Sequence, residues 1–151
     1  MPIYETGINL GNRNLIQIKY YSSPEQLDPN LRAGFLQALD GFSHEVMGDD
    51  IATISLASFK LVCVSIPLAL PGVATPEDTL PLISYAIIDK KLAVEIVKEQ
   101  LIQVSNRFTN RYSINDIFSK KPKYFKKFIS LFDEILGDLK LKEEDRFRSI
   151  L

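Results

Sequence analysis

The sequence predicts an α+β domain, a three-layer α-β-α sandwich in which a five-stranded, largely antiparallel sheet carries helices on both faces. Three observations lead there. The runs "FKLVCVSIP" and "LISYAIID" are almost continuously apolar and β-branched, and strands of that kind need cover on both faces. Three stretches, 28–48, 91–112 and 123–139, repeat apolar residues at helical spacing. The segments follow the order strand, strand, helix, three strands, helix, helix within 151 residues, the length of one ordinary domain.

Taken in order, "IYETGINLG" and "NLIQIKYYSS" alternate in part and flank the turn "GNRN", so they predict a β-hairpin. Next comes "DPNLRAGFLQALDGFSHEVMG", residues 28–48, a helix with an aspartate N-cap and a proline at its first position. Leu31, Phe35, Leu39, Phe42 and Val46 make its apolar stripe, and Gly34, Ala38 and Gly41 make a second stripe of small residues beside it. Each interior glycine costs roughly 1 kcal/mol relative to alanine, so a second backbone is expected to come close, from within the chain or from a partner.

"IATISLAS" alternates and suits an edge strand beside the central "FKLVCVSIP". Prolines 67, 71, 76 and 81 then predict a long loop over 67–81, either functional or a simple insertion, in place of a tight hairpin. The helix at 91–112 buries Val97, Leu101, Val104 and Phe108, and the one at 123–139 buries Phe125, Phe128, Phe132, Ile135 and Leu139. Residues 140–151 form a charged tail with little periodic apolar content, and the domain proper is 1–139.

With 46% hydrophobic and 25% charged residues, the composition is that of a folded globular chain. A net charge of -1 gives no global attraction to nucleic acid or anionic lipid. The start lacks a basic segment followed by an apolar one, and "LVCVSIPLAL" is too short to span a bilayer, so a cytoplasmic location is expected. The single cysteine, Cys63, excludes an intramolecular disulfide, and its apolar surroundings predict a buried, inert thiol.

Catalysis has little to work with. There is no glycine-rich phosphate loop and no nucleophile elbow, and the one histidine, His44, shares an outer helix face with Gln37 and Asp40. Glu45, Asp49 and Asp50 lack the alternating oxygen ligands of a calcium loop. The expectation is a non-enzyme with no catalytic residue, cofactor or metal. A second charge feature, "KKPKYFKK", places Lys120, Lys121, Lys123, Lys126 and Lys127 around Tyr124 and Phe125 at a helix start, where each lysine opposes the helix dipole by a few tenths of a kcal/mol. Such a turn could meet anionic headgroups or an acidic protein. A solvated basic turn is favoured, because Asp133, Glu134 and Asp138 follow closely, so membrane contact is expected to be at most weak and peripheral. Phe125 fits the core stripe, which argues against single-stranded nucleic acid as partner.

The stretches "DPNLRAGFLQALDGFSHEV", "IATISLASFKLVCVS" and "LISYAIIDKKLAVEIVKEQLIQVSNRF", with the element order, resemble the longin domain of the roadblock/longin superfamily over nearly the whole chain, to about residue 139. They are similar to short stand-alone longin-like proteins of archaea. The resemblance implies a non-enzymatic interaction module of the kind found in vesicle-trafficking machinery, where two such domains often pair through the first helix and the strand after it. Those elements would be residues 28–48 and 51–57 here. It makes Gly34, Leu36, Ala38, Gly41, Met47, Ile51, Thr53 and Ser55 the candidate interface of a homodimer, or of a heterodimer with a related longin or roadblock domain, with a small GTPase as a further partner. Packing of the small-residue stripe inside the monomer stands as an equal alternative. The other functional class is a small-ligand or enzymatic domain using a crevice under the 67–81 loop, with Tyr85 or Tyr112 as polar handles; the lack of convergent titratable groups favours the interaction module.

Overall fold

The alternating start of the chain folds back on itself. Strand β1 (Ile3–Leu10) pairs antiparallel with β2 (Arg13–Lys19), and Gly11 opens the tight connection with a φ of 60°, a backbone region that costs glycine nothing. The computed structural model describes residues 3–11, 13–19, 50–56, 59–70, 72 and 79–140, and over these the chain is a mixed α+β protein. Strands β3 (Asp50–Leu56), β4 (Phe59–Ala69) and β5 (Thr79–Asp89) complete an antiparallel sheet in the order β2-β1-β5-β4-β3. The chain therefore leaves the sheet at one edge, at Lys19, and re-enters at the opposite edge, at Asp50. The helix expected at 28–48, with Gly34, Leu36, Ala38, Gly41, His44 and Met47, lies outside the described residues, as do 141–151.

The expected 67–81 loop is corrected at both ends. β4 and β5 run on as a hairpin, with Pro67 opposite Pro81, Leu68 opposite Leu80 and Ala69 opposite Thr79. Proline is tolerated where no ladder needs its missing N–H. Pro67 lies beyond Ser65, the last β4 residue paired with β3, and Pro81 lies beyond Leu82, the last β5 residue paired with β1. The carbonyl of Pro81 still accepts from the Gly11 amide at 2.8 Å, which ties this hairpin to the β1–β2 turn.

Helix α1 (Val94–Arg111) buries Val97, Leu101, Val104 and Phe108, as its spacing predicts. Two corrections follow it. A short helix, α2 (Ile114–Ser119), precedes the basic turn, capped by Ser113 Oγ, which accepts from the Asp116 amide at 3.2 Å. The helix expected from 123 starts later: Pro122–Phe125 form a 3-10 turn, and α3 spans Phe128–Lys140. That break resets the helical phase. Phe128, Phe132 and Leu136 are buried, one helical turn apart, while Ile135 is only half-buried.

α1 packs on β4 and β5, and α3 packs on α1 and β1. The register places Val62, Val64, Ala86 and Ile88 with Ser84 on this helix-bearing face, where Ser84 and Ser105 of α1 share a buried hydroxyl–hydroxyl hydrogen bond of 2.6 Å. The alternate residues Leu61, Cys63, Ile83, Tyr85 and Ile87 are buried as well, so β4 and β5 are shielded from solvent on both faces.

Candidate functional site

Three places carry side chains or backbone groups that could serve a function: the β3 edge, the lysine turn, and a polar group on the sheet face opposite the helices. At the β3 edge, strand β3 pairs with β4 on one side, and among the described residues no strand pairs with the other. Thr53 stands opposite Val62; Val62 is fully buried and Thr53 is exposed, so the helix layer ends short of this strand. Ile51 and Ser55 occupy the register positions opposite Val64 and Lys60. Neither lysine nor proline occurs between Asp50 and Leu56, the residues that most often block strand addition at an edge.

At the lysine turn, all five lysines are exposed, while Phe125 between them is completely buried against Phe108, Tyr112 and Tyr124. That aromatic contact seats the turn on the end of α1. Arg13 of the β1–β2 turn secures it from the other side: its guanidinium donates to the carbonyl of Ile117 at 2.6 Å and approaches that of Lys120 at 3.5 Å. The Lys120 ammonium lies 5.3 Å from the centre of the Tyr124 ring, and the Arg111 guanidinium 5.6 Å from that of Tyr112. The Tyr124 hydroxyl donates to Asp116 Oδ2 at 3.2 Å, and this carboxylate holds the phenol above its ordinary pKa. Among the described residues, none of the five lysines forms an ion pair.

On the opposite sheet face, Glu5, Gly7 and Tyr85 form a buried unit the sequence reading missed. The Tyr85 hydroxyl donates to Glu5 Oε2 at 2.9 Å, and Gln17 Nε2 donates to the same oxygen at 3.3 Å. The Tyr85 ring lies over Gly7, where a Cβ would stand 2.7 Å from its hydroxyl oxygen and would also collide with the Ile16 carbonyl. The available signal was the spacing in "ETG", which puts Glu5 and Gly7 on one strand face. Beside them Asn14 Nδ2 donates to Asn9 Oδ1 at 2.7 Å and to the Ile16 carbonyl at 3.0 Å, fastening the β1–β2 register shift that follows Ile8. Burial pushes the Cys63 thiol up to about 12, which removes it as a nucleophile near neutral pH.

The crevice expected under the 67–81 loop takes Tyr85 or Tyr112 as a polar handle, and residues 71 and 73–78 of that loop lie outside the described residues. Tyr85 is buried on one face of the sheet, and Tyr112 packs in the aromatic cluster of the helix layer on the other. Among the described residues, no group of three or more His, Cys, Asp or Glu side chains is placed to hold a metal ion, and no helix is long and apolar enough to cross a membrane. Neither a protein-family model nor a curated protein matches this chain.

Proposed function

We propose that this chain is a longin-type, non-enzymatic interaction module that pairs with a second copy or a related domain through β3 and the helix expected at 28–48. The observation that carries the reading is the β3 edge, on whose far side no strand pairs among the described residues, with exposed Thr53 and no lysine or proline between Asp50 and Leu56. The order of the described elements supports it: two strands, a connection that runs from one sheet edge to the other, three strands, then helices. Paired edges would form one continuous sheet across two protomers, with main-chain hydrogen bonds supplying affinity and neighbouring side chains supplying selectivity. The surface so formed is the platform on which a small GTPase or a trafficking-type complex would sit.

Thr53→Lys tests the reading, because a charge at an exposed edge position leaves the monomer intact and opposes strand addition. The expected result is a wild-type dimer by light scattering coupled to size exclusion, and a variant whose dimer dissociates at least about tenfold more readily while its far-ultraviolet circular dichroism stays that of the folded wild type. A wild type that stays monomeric at high concentration removes the homodimer. A Thr53→Lys dimer as tight as wild type moves the interface away from β3.

A further inference from the structure

The lysine turn stands apart from the pairing edge. Lys120, Lys121, Lys123, Lys126 and Lys127 crowd eight residues, all exposed, with Arg111 exposed at the end of α1 beside the same aromatic cluster. Among the described residues, the Lys120 ammonium over the Tyr124 ring is the one favourable charge contact these five side chains make. Lysines just ahead of α3 face the positive end of its dipole, and like charges this close repel. The nearest acid of the preceding helix, Asp116, already accepts the Tyr124 hydroxyl. None of the five lysines finds a carboxylate partner among the described residues.

The geometry points to an anionic phospholipid bilayer as the partner of this turn. The cations are exposed on one short 3-10 turn and its flanks, and buried Phe125 and Arg13 tie that turn to the fold, so the charge is concentrated on an anchored segment. All five are lysines. A lysine ammonium is a point charge on a flexible stem, without the planar fork of arginine that matches a fixed carboxylate or phosphate in two bonds, and it suits a surface whose headgroups move to meet it. Within the turn, Tyr124 is 46% exposed, an amphipathic ring of the kind that rests at headgroup level. The surface is separate from β3, so it stands or falls independently of pairing.

Co-sedimentation with vesicles of phosphatidylcholine alone and with 30% phosphatidylserine, at physiological salt, tests it. Each lysine near an anionic surface contributes a roughly fivefold gain in partitioning. The wild-type chain is expected to sediment with the anionic vesicles only and to be released as salt rises. The triple variant Lys120→Gln, Lys121→Gln, Lys123→Gln should lose on the order of 100-fold in partitioning with an unchanged melting temperature. Failure of wild type to sediment with the anionic vesicles overturns the proposal, as does retention by the folded triple variant. Preferential capture by a soluble acidic peptide or oligonucleotide that strips the protein from vesicles would identify a macromolecular polyanion as the partner and overturn it equally. If the triple variant melts early, the single variants Lys121→Gln and Lys123→Gln, each expected to lose about fivefold, decide the matter.

Discussion

The two edges of the sheet are built to opposite rules. β2 begins with Arg13 and ends with Lys19, is tied through Arg13 to the end of α2, and contacts the 3-10 turn. β3 carries neither lysine nor proline, and its Thr53 is exposed where the facing Val62 is fully buried. Charge and a packed turn protect an edge against strand addition, and among the described residues only the β2 edge has both. Under the proposals above, β3 would take another strand and the flank of β2 a charged surface. The difference also yields measurements that separate the two edges.

The largest expected effect concerns Cys63, which stands opposite Ala52 of β3. Its thiol is raised from the ordinary 9.0 to about 12 by burial. At pH 8 the native thiolate is then about 1000-fold scarcer than in the unfolded chain, and a disulfide reagent should react correspondingly more slowly with native protein. Reaction at the unfolded rate would show that the β3 side of the sheet does not stay closed over β4. The sign of the pH dependence follows. Below pH 9 both states hold the proton and stability is unaffected; between 9 and 12 the unfolded chain releases it while the native thiol keeps it, so stability falls by about 1.4 kcal/mol per unit of pH. Urea titrations should therefore show the gap between wild type and Cys63→Ala narrowing as pH rises through that window.

Next in size is Gly7→Ala on the protected side. The added methyl would meet the Tyr85 hydroxyl and the Ile16 carbonyl, and the latter is backbone of the adjoining strand and cannot swing away. A loss of about 3 kcal/mol in urea unfolding is expected, with the β1–β2 amides losing hydrogen-exchange protection first. A loss below about 0.5 kcal/mol would mean that β2 shifts freely and that this edge is not rigidly held.

The sequence discloses some of this and hides the rest for identifiable reasons. Continuous apolar runs announced β4 and β5 as doubly covered, and the spacing of Val97, Leu101, Val104 and Phe108 announced the buried face of α1, because burial and periodicity are properties of single segments. The extent of the β4–β5 hairpin was hidden. Pro67 and Pro81 look like strand breakers until the register shows that each has outrun its second neighbour. The onset of α3 at Phe128 was masked by apolar spacing that runs on through Phe125, with Pro122 as the unread stop signal. For α2 the S-x-x-D cap at Ser113 was legible but short. The Glu5–Gly7–Tyr85 unit joins residues about eighty positions apart, and no local pattern carries such a contact. For the candidate interface, the edge position of β3 among the described strands followed from its alternation, whereas the lack of ion pairs at the five lysines among the described residues depends on tertiary placement that no local pattern carries.

The smallest effect, and the one that sharpens the contrast between the edges, is Arg13→Met. Arg13 is half-buried, and its charged donor satisfies the Ile117 carbonyl at 2.6 Å near the end of α2, where helix carbonyls lack partners of their own. A cation there also complements the helix C-terminus, although α2 is short and the second contact, to Lys120 at 3.5 Å, is long. Methionine keeps much of the apolar stem and removes the fork, so the loss should be about 1–2 kcal/mol, the range for removing one charge-assisted bond from a partly solvated site. Arg13→Lys should recover part of it, because one ammonium can reach one carbonyl but cannot span two. The local readout is amide exchange at Tyr124 and Lys126, whose N–H groups donate within the turn to the carbonyls of Lys121 and Lys123. Faster exchange there, with β3 and β4 unchanged, is expected if Arg13 couples the β2 edge to the lysine turn. Uniform loss of protection across the sheet would make Arg13 a general stabiliser, and the two edges would then differ only in their charges.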